Sequence, residues 1–214
     1  MRRQAVIFDL DGTLADSLGD IAGAMNEALE ARGLPVHPPD AFRHFVGDGV
    51  EQMAIRAAPR GTPIDALVTE YRARYADRID TLTRPYPGIE ALLDVLAARQ
   101  VHLAVLSNKR DDFTAELVKR LFSRWPFGLV RGERGQVPRK PDPTAALDIA
   151  RALDLAPSRV VFVGDTAIDM RTAANAGMTG VGVTWGFRGR AELAAAGARH
   201  IIDHPLELLA LTTA

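Results

Sequence analysis

Two carboxylates two residues apart, Asp9 and Asp11, stand where a short apolar run, Ala5-Val6-Ile7-Phe8, gives way to Gly12. Branched and aromatic residues in a run this short read as a strand buried on both faces. Such a strand keeps no carboxylate inside, so Asp9 and Asp11 belong at its C-terminal end, the edge where open α/β sheets bind ligands. Gly12 lets the chain turn sharply there. Alone, the stretch is equally an ordinary strand followed by an Asp-Gly turn. Three more polar clusters tip the balance. Val101–Leu106 leads into Ser107-Asn108-Lys109, Val160–Val163 leads into Gly164-Asp165 with Asp169 one helical turn on, and Lys140-Pro141-Asp142-Pro143 opens a helix between them. Each has a bland reading: Ser107-Asn108 as a turn or cap, Lys140 as a solvated lysine with its backbone fixed by prolines, Asp165 as an N-cap, Asp169 as a first-turn acid. Four such clusters at strand ends or beside one are better explained by a single site.

These groups suit transfer of a phosphoryl group. A phosphate dianion is repelled by carboxylates unless cations intervene. Asp9 and Asp165 offer hard oxygen ligands of the kind Mg²⁺ takes. Lys140 supplies a fixed positive charge, and the Ser107 hydroxyl and the backbone N–H groups after Asp11 are donors for phosphate oxygens. A carboxylate is then free to attack phosphorus and form an aspartyl phosphate. A second carboxyl two residues on can give a proton to the leaving oxygen and later take one from water.

The elements that must position these residues follow from periodicity. After the first strand, Ser17 reads as an N-cap, Leu18, Ile21, Met25, Ala28 and Leu29 fall at helical spacing, and Gly33 is a natural stop. Residues 34–40 hold three prolines and read as a loop; 41–58 read as a helix interrupted at Gly47-Asp48-Gly49. Residues 64–80 read as a helix with Ile64, Leu67, Val68, Tyr71 and Tyr75 on one stripe and Arg72, Arg74 and Arg78 on a solvated face. From Arg84-Pro85-Tyr86-Pro87-Gly88 onward the pattern alternates. Strands are expected at 101–106, 127–130, 160–163, 180–184 and 200–202, and helices around 89–96, 113–121, 145–153, 168–176, 191–196 and 206–211. Alternation of this kind means βαβ units and a doubly wound parallel sheet in an α/β fold. The helical stretch is then an insertion after the first strand, with crossings near residues 15 and 85.

Bulk properties exclude several functions. The chain has 214 residues, long enough for a well-buried core. It is 47% hydrophobic and 25% charged, which argues against disorder. A formal net charge of -1 implies no basic field, so nucleic acid is not an expected partner. The absence of cysteine rules out disulfides and thiolate chemistry and suits a reducing cytoplasm. Arg2-Arg3 leads into a run that ends in Asp9, unlike a secretory signal, and no apolar run has membrane-spanning length. Trp125 and Trp185 suit a core or an interface, and a monomer or homodimer is expected.

In its motifs the chain resembles the haloacid dehalogenase superfamily, in its phosphatase branch, and most closely the phosphoglycolate phosphatases. Asp9-Leu10-Asp11-Gly12-Thr13 is similar to the family's first motif, Ser107 to its second, Lys140 to its third, and Gly164-Asp165 with Asp169 to its fourth. The likeness extends to Ala15-Asp16-Ser17, Tyr86-Pro87-Gly88 and Val183-Thr184-Trp185-Gly186-Phe187. It implies a Rossmann-like core of residues 1–15 and 85–214 with an inserted all-helical cap of residues 16–84. It implies Asp9 as nucleophile, Asp11 as general acid/base, and Lys140 and Ser107 as further catalytic groups. Phosphate would be bound by Gly12, Ser107, Asn108 and Lys140. Mg²⁺ would be held by Asp9, the Asp11 backbone carbonyl and Asp165, with Asp169 supporting its water shell or Lys140. The cap loop with Arg43, Gly47, Asp48 and Gly49 would choose the substrate, and Arg43 suits the carboxylate of 2-phosphoglycolate. The basic segment Arg131-Gly132-Glu133-Arg134-Gly135-Gln136 leaves room for a larger or differently charged substrate.

The expected activity is Mg²⁺-dependent hydrolysis of a small phosphorylated metabolite, with no membrane or nucleic-acid partner. A dehalogenase lacks the acid that Asp11 provides. A sugar phosphomutase or pyrophosphatase shares the same core motifs. A phosphate-accepting receiver-like signalling domain has no need of Asp11 or of a helical cap.

Overall fold

The computed structural model describes residues 5–135 and 137–212. Arg2, Arg3 and Gln136, named above, lie outside them. The described chain divides into two compact units, one running up to Ala15 and again from Pro85 onward, the other Asp16–Arg84.

The first unit is built on a six-stranded sheet. In chain order its strands and helices are β1 (Ala5–Phe8), α5 (Ile89–Ala98), β4 (His102–Arg110), α6 (Asp111–Phe122), β5 (Phe127–Glu133), α7 (Thr144–Ala152), β6 (Val160–Gly164), α8 (Ala167–Asn175), β7 (Thr179–Val183), α9 (Arg190–Ala195), β8 (His200–Ile202) and a 3₁₀ helix at Pro205–Ala210; two-residue strands β2 (Ala15–Asp16) and β3 (Arg84–Pro85) pair where the chain leaves and re-enters the unit. The sheet order is β5-β4-β1-β6-β7-β8. Every neighbouring pair is parallel. Helices therefore link the strands and flank the sheet, as the alternation requires.

Counting only the strands of this sheet, the order is that of the doubly wound dinucleotide-binding fold, and it reverses at β1. The neighbours of β1 are β4 and β6, in register Phe8↔Val105 and Phe8↔Val163. The crevice at the reversal thus opens beyond Phe8 and Val163. Side chains alternate across the sheet. Ala5, Ile7, Ala104, Leu106, Val160 and Phe162 pack with Ala146, Ile149 and Ala150 of α7 and Ala173 of α8 in one core. Val6, Phe8, Leu103, Val105, Val161 and Val163 point the other way and are also buried. That two-sided burial is why these runs are continuously apolar.

The second unit is helical: α1 (Leu18–Glu30), a 3₁₀ turn (Pro39–Ala41), α2 (Phe42–Phe45), α3 (Val50–Ala57) and α4 (Ile64–Ala76). α1 packs along α4, burying Ile21, Met25, Ala28 and Leu29 on one helix and Leu67, Val68, Tyr71 and Tyr75 on the other. Asp20 is fully buried and its Oδ2 accepts from Leu82 N–H, Thr83 N–H and the Thr83 hydroxyl.

Several expectations need correction. Ser17 occupies the N-cap position of α1 but makes no side-chain capping bond. α1 ends at Glu30, and Gly33, at φ +65°, shapes the turn behind it. Arg78 is not on a solvated face: it pairs with Glu27 and fills the space a side chain at Gly23 would need. The second strand of the core continues past Leu106 to Arg110, with a register irregularity between Leu106 and Arg110, because Ser107-Asn108-Lys109 are held by buried polar partners rather than by solvent. The last helix is a 3₁₀ turn opened by Pro205. No helix among the described residues is long and apolar enough to cross a membrane.

Candidate active site

β1 ends at Phe8, and the Asp9 N–H still donates to Val163 O at 2.9 Å, continuing the ladder by one residue. The chain then folds back on itself: Leu14 and Ala15 N–H both donate to Leu10 O, at 3.0 and 2.9 Å, and Gly12 N–H donates to Ala15 O at 2.9 Å. Gly12 has φ +85°, and an added Cβ there would overlap the Asp165 carboxylate. Glycine is thus demanded twice, by the left-handed backbone and by the close approach of Asp165. The Gly12 N–H, expected to face phosphate, is committed within this turn, and so is the Thr13 N–H, on Leu10 O.

Lys140 lies at the centre. Its ammonium sits 2.9 Å from Asp9 Oδ1 and 2.7 Å from Asp169 Oδ1, with only 3% of the side chain exposed. Its main chain is clamped by Asn108, whose Oδ1 accepts from Lys140 N–H at 2.9 Å and whose Nδ2 donates to Lys140 O at 3.1 Å. Both ends of the Asn108 side-chain amide thus hold Lys140 in place. Ser107 is buried beside it, and its Oγ accepts from Lys109 N–H at 3.3 Å.

Asp165 and Asp169 follow β6. Asp169 is fully buried, and its Oδ2 accepts from Thr166 N–H and the Thr166 hydroxyl in a reciprocal capping box at the start of α8. With Oδ1 on Lys140, both its oxygens are engaged, which suits support of Lys140 more than direct ligation. Asp165 is held by Phe187 N–H at 2.7 Å and, weakly, by the Thr13 hydroxyl at 3.4 Å. Gly164 and Gly186 make room: a side chain at the first would overlap Asp169, and at the second Asp165 and the Gly12 carbonyl.

Oxygen atoms of Asp9, Asp165 and Asp169 lie within 4.8 Å of one another, all buried. Three carboxylates thus face one ammonium away from water. Burial pushes the Asp9 carboxyl up to about 7, aided by the Asp169 and Asp11 charges and opposed by Lys140. Burial, then the Asp169 and Asp9 charges, holds Asp165 well above the carboxylate range. Burial disfavours the Lys140 charge, but Asp169 and Asp9 outweigh it and raise the ammonium above its ordinary range. The excess of buried negative charge is what a hard divalent cation balances, and the donors are all oxygen. The residues present therefore fit a metal ion.

Asp11 stands apart from this cluster. Both its oxygens accept from Lys109 Nζ, at 2.9 and 2.8 Å. Lys109, Thr13, Thr166, Gly186 and Phe187 received no role from the sequence. Lys109 stood next to Ser107-Asn108, Thr13 in the first motif, and Gly186-Phe187 in the stretch that resembles the family; Thr166 carried no signal. In the basic segment, which begins inside β5, Arg134 pairs with Asp111 at 3.0 Å, Glu133 pairs with Arg139 at 2.8 Å, and Arg131 donates to Val130 O at 3.2 Å. Trp185 Nε1 donates to Thr13 O at 3.0 Å and Trp125 Nε1 to Asp94 at 2.8 Å.

Arg43, Gly47, Asp48 and Gly49 belong to the helical unit. Arg43 lies 3.4 Å from Asp40, and Asp48 pairs with Arg56. Gly47 and Gly49 have φ of +124° and +91°, so the break between α2 and α3 needs glycine at both.

Residues 6–183 match the haloacid dehalogenase-like hydrolase family, and the chain belongs to it. It is a phosphatase of that family. A phosphoglycolate phosphatase of Neisseria meningitidis serogroup A is 37% identical over 191 residues, covering 86% of this chain and 81% of the relative. The phosphoglycolate phosphatase of Chromobacterium violaceum is 34% identical, with 90% of each chain covered. Among solved structures, a protein from Lactobacillus delbrueckii subsp. bulgaricus is 30% identical, with a TM-score of 0.90 over 97% of each chain.

Proposed function

We propose that the protein is a Mg²⁺-dependent phosphomonoester hydrolase acting through an aspartyl phosphate on Asp9, with 2-phosphoglycolate or a similarly small phosphorylated metabolite as substrate. The observation that carries this is the buried cluster of Asp9, Asp165 and Asp169 around Lys140, at the sheet's reversal point. The names of the relatives support the substrate.

Asp9 and Asp165, with the Asp11 backbone carbonyl, would hold Mg²⁺, and Asp169 would support them through Lys140. When bound, the ion offsets the repulsion between phosphate and carboxylates and polarises the phosphoryl group. Lys140 and the Ser107 hydroxyl hold phosphoryl oxygens. The Asp9 carboxylate attacks phosphorus while Asp11 gives its proton to the departing alkoxide oxygen. In the second half Asp11, now a carboxylate, takes a proton from the attacking water. The new oxygen–phosphorus bond forms, and the bond from Asp9 to phosphorus breaks, returning Asp9 as a carboxylate.

The helical unit serves as the family's cap, and Arg43 with Gly47, Asp48 and Gly49 is its candidate for choosing the substrate. The working site is cytoplasmic. The test is phosphate release over a panel of phosphorylated metabolites with and without EDTA. 2-Phosphoglycolate is expected to give the highest kcat/KM, and chelation to stop turnover until Mg²⁺ is restored. Activity in full EDTA removes the metal from this reading, and a flat profile over the panel removes the substrate.

A further inference from the structure

We propose that Lys109 is a positioning residue for Asp11: its ammonium, bound to both Asp11 oxygens, holds that carboxyl in the place from which it exchanges a proton with the substrate's leaving oxygen. The proposal rests on Asp11 being the proton carrier of the hydrolysis described above.

Three features support it. The ion pair is doubly bonded, at 2.8 and 2.9 Å, and enclosed, with 7% of the Lys109 side chain and 11% of the Asp11 side chain exposed. It is also built by the fold. β1 and β4 are adjacent and parallel, Phe8 opposite Val105, and Asp11 and Lys109 follow three and four positions further along their chains. β4 continues through Lys109 instead of turning away at Leu106. The Lys109 backbone is fixed at both ends of the peptide, its N–H on Ser107 Oγ at 3.3 Å and its carbonyl accepting from the Thr114 hydroxyl at 3.2 Å. Finally, the two cations divide the two acids of the first motif between them. Lys140 attends Asp9 and Asp169, and Lys109 attends Asp11.

The chemical consequence is selective. Asp11, a carboxylate in the ion pair, takes up a proton from solvent as substrate binds; as the bond from phosphorus to the leaving oxygen breaks, its electron pair stays on that oxygen, which takes this proton from Asp11. The charge left on Asp11 then faces the ammonium. An alkyl phosphate needs this proton, because an alkoxide leaves poorly. An aryl phosphate whose phenolate leaves readily does not. Misplacing Asp11 therefore harms the first class of substrate and largely spares the second.

The experiment measures kcat and KM of the full chain with Mg²⁺ on two substrates, p-nitrophenyl phosphate and the alkyl phosphate it turns over fastest. The proteins are wild type, Asp11→Asn, Lys109→Met and the double variant. Lys109→Met is expected to lower kcat on the alkyl phosphate about 10- to 100-fold with KM changed less than about twofold. It should lose far less on p-nitrophenyl phosphate, whose continued turnover also reports a folded site. The double variant should be no slower than Asp11→Asn alone. Equal losses on both substrates, a raised KM at unchanged kcat, or unchanged kcat on both would each overturn the proposal. If Asp11→Asn itself fails to separate the two substrates, the proton-carrier reading fails instead, whatever Lys109→Met does.

Discussion

Asp9 and Asp11 are two residues apart and have different partners. Asp9 shares the Lys140 ammonium with Asp169, and Asp11 has Lys109. Their separate cations come from different elements, Lys109 from β4 and Lys140 from the loop before α7. Lys140 is the residue most exposed to a test of the electrostatics. Replacing it by Met leaves three buried carboxylates without their ammonium, and losing one partner of a buried ion pair costs about 3 kcal/mol. Lys140→Met is expected to lower the stability of the metal-free chain by that amount in urea unfolding, with Mg²⁺ recovering part of the loss. A variant as stable as wild type would mean that the cluster is not held together by this charge. Asp9, Ser107 and Asp165 were legible because each follows an apolar run, and Lys140 because prolines fix the backbone beside it. Their partners were not. Lys109 is 98 positions from Asp11 and Phe187 22 from Asp165, distances that only the fold closes.

At the scale of elements, β1, β4 and β6 were readable because burial on both faces leaves uninterrupted Val, Ile, Leu and Phe. The polar end of β4 was not, since Ser107-Asn108-Lys109 look like a loop until Lys140 and Asp11 are placed beside them. The final 3₁₀ turn was read as a helix for a similar reason: six residues with Leu206, Leu208 and Leu209 match either period. The loop after β7 carries a more specific constraint. Gly186 packs against Asp165 and the Gly12 carbonyl, and one of those contacts is backbone, which does not yield as a side-chain tip does. Gly186→Ala should destabilise the chain by about 1–3 kcal/mol by overpacking. It should also lower turnover, because it pushes on the segment that holds Asp165. A thermal melt with a parallel phosphatase assay checks both, and unchanged activity would show that the loop absorbs the methyl group without moving Asp165.

For the molecule as a whole, sheet order decides where the chemistry lies. A parallel sheet was legible from alternation, but the order β5-β4-β1-β6-β7-β8 was not, because apolar runs of similar length are interchangeable until paired. That order sets β1 beside β6, and so Asp9 beside Asp165, although 156 positions separate them in the chain. The second unit, Asp16–Arg84, is helical and carries its own core. The central claim is that Asp9 attacks phosphorus. Its most direct test is phosphate release by the full chain with Mg²⁺, wild type against Asp9→Asn, with circular dichroism showing both folded. The prediction is a loss of about a thousandfold or more; appreciable turnover by folded Asp9→Asn would contradict it.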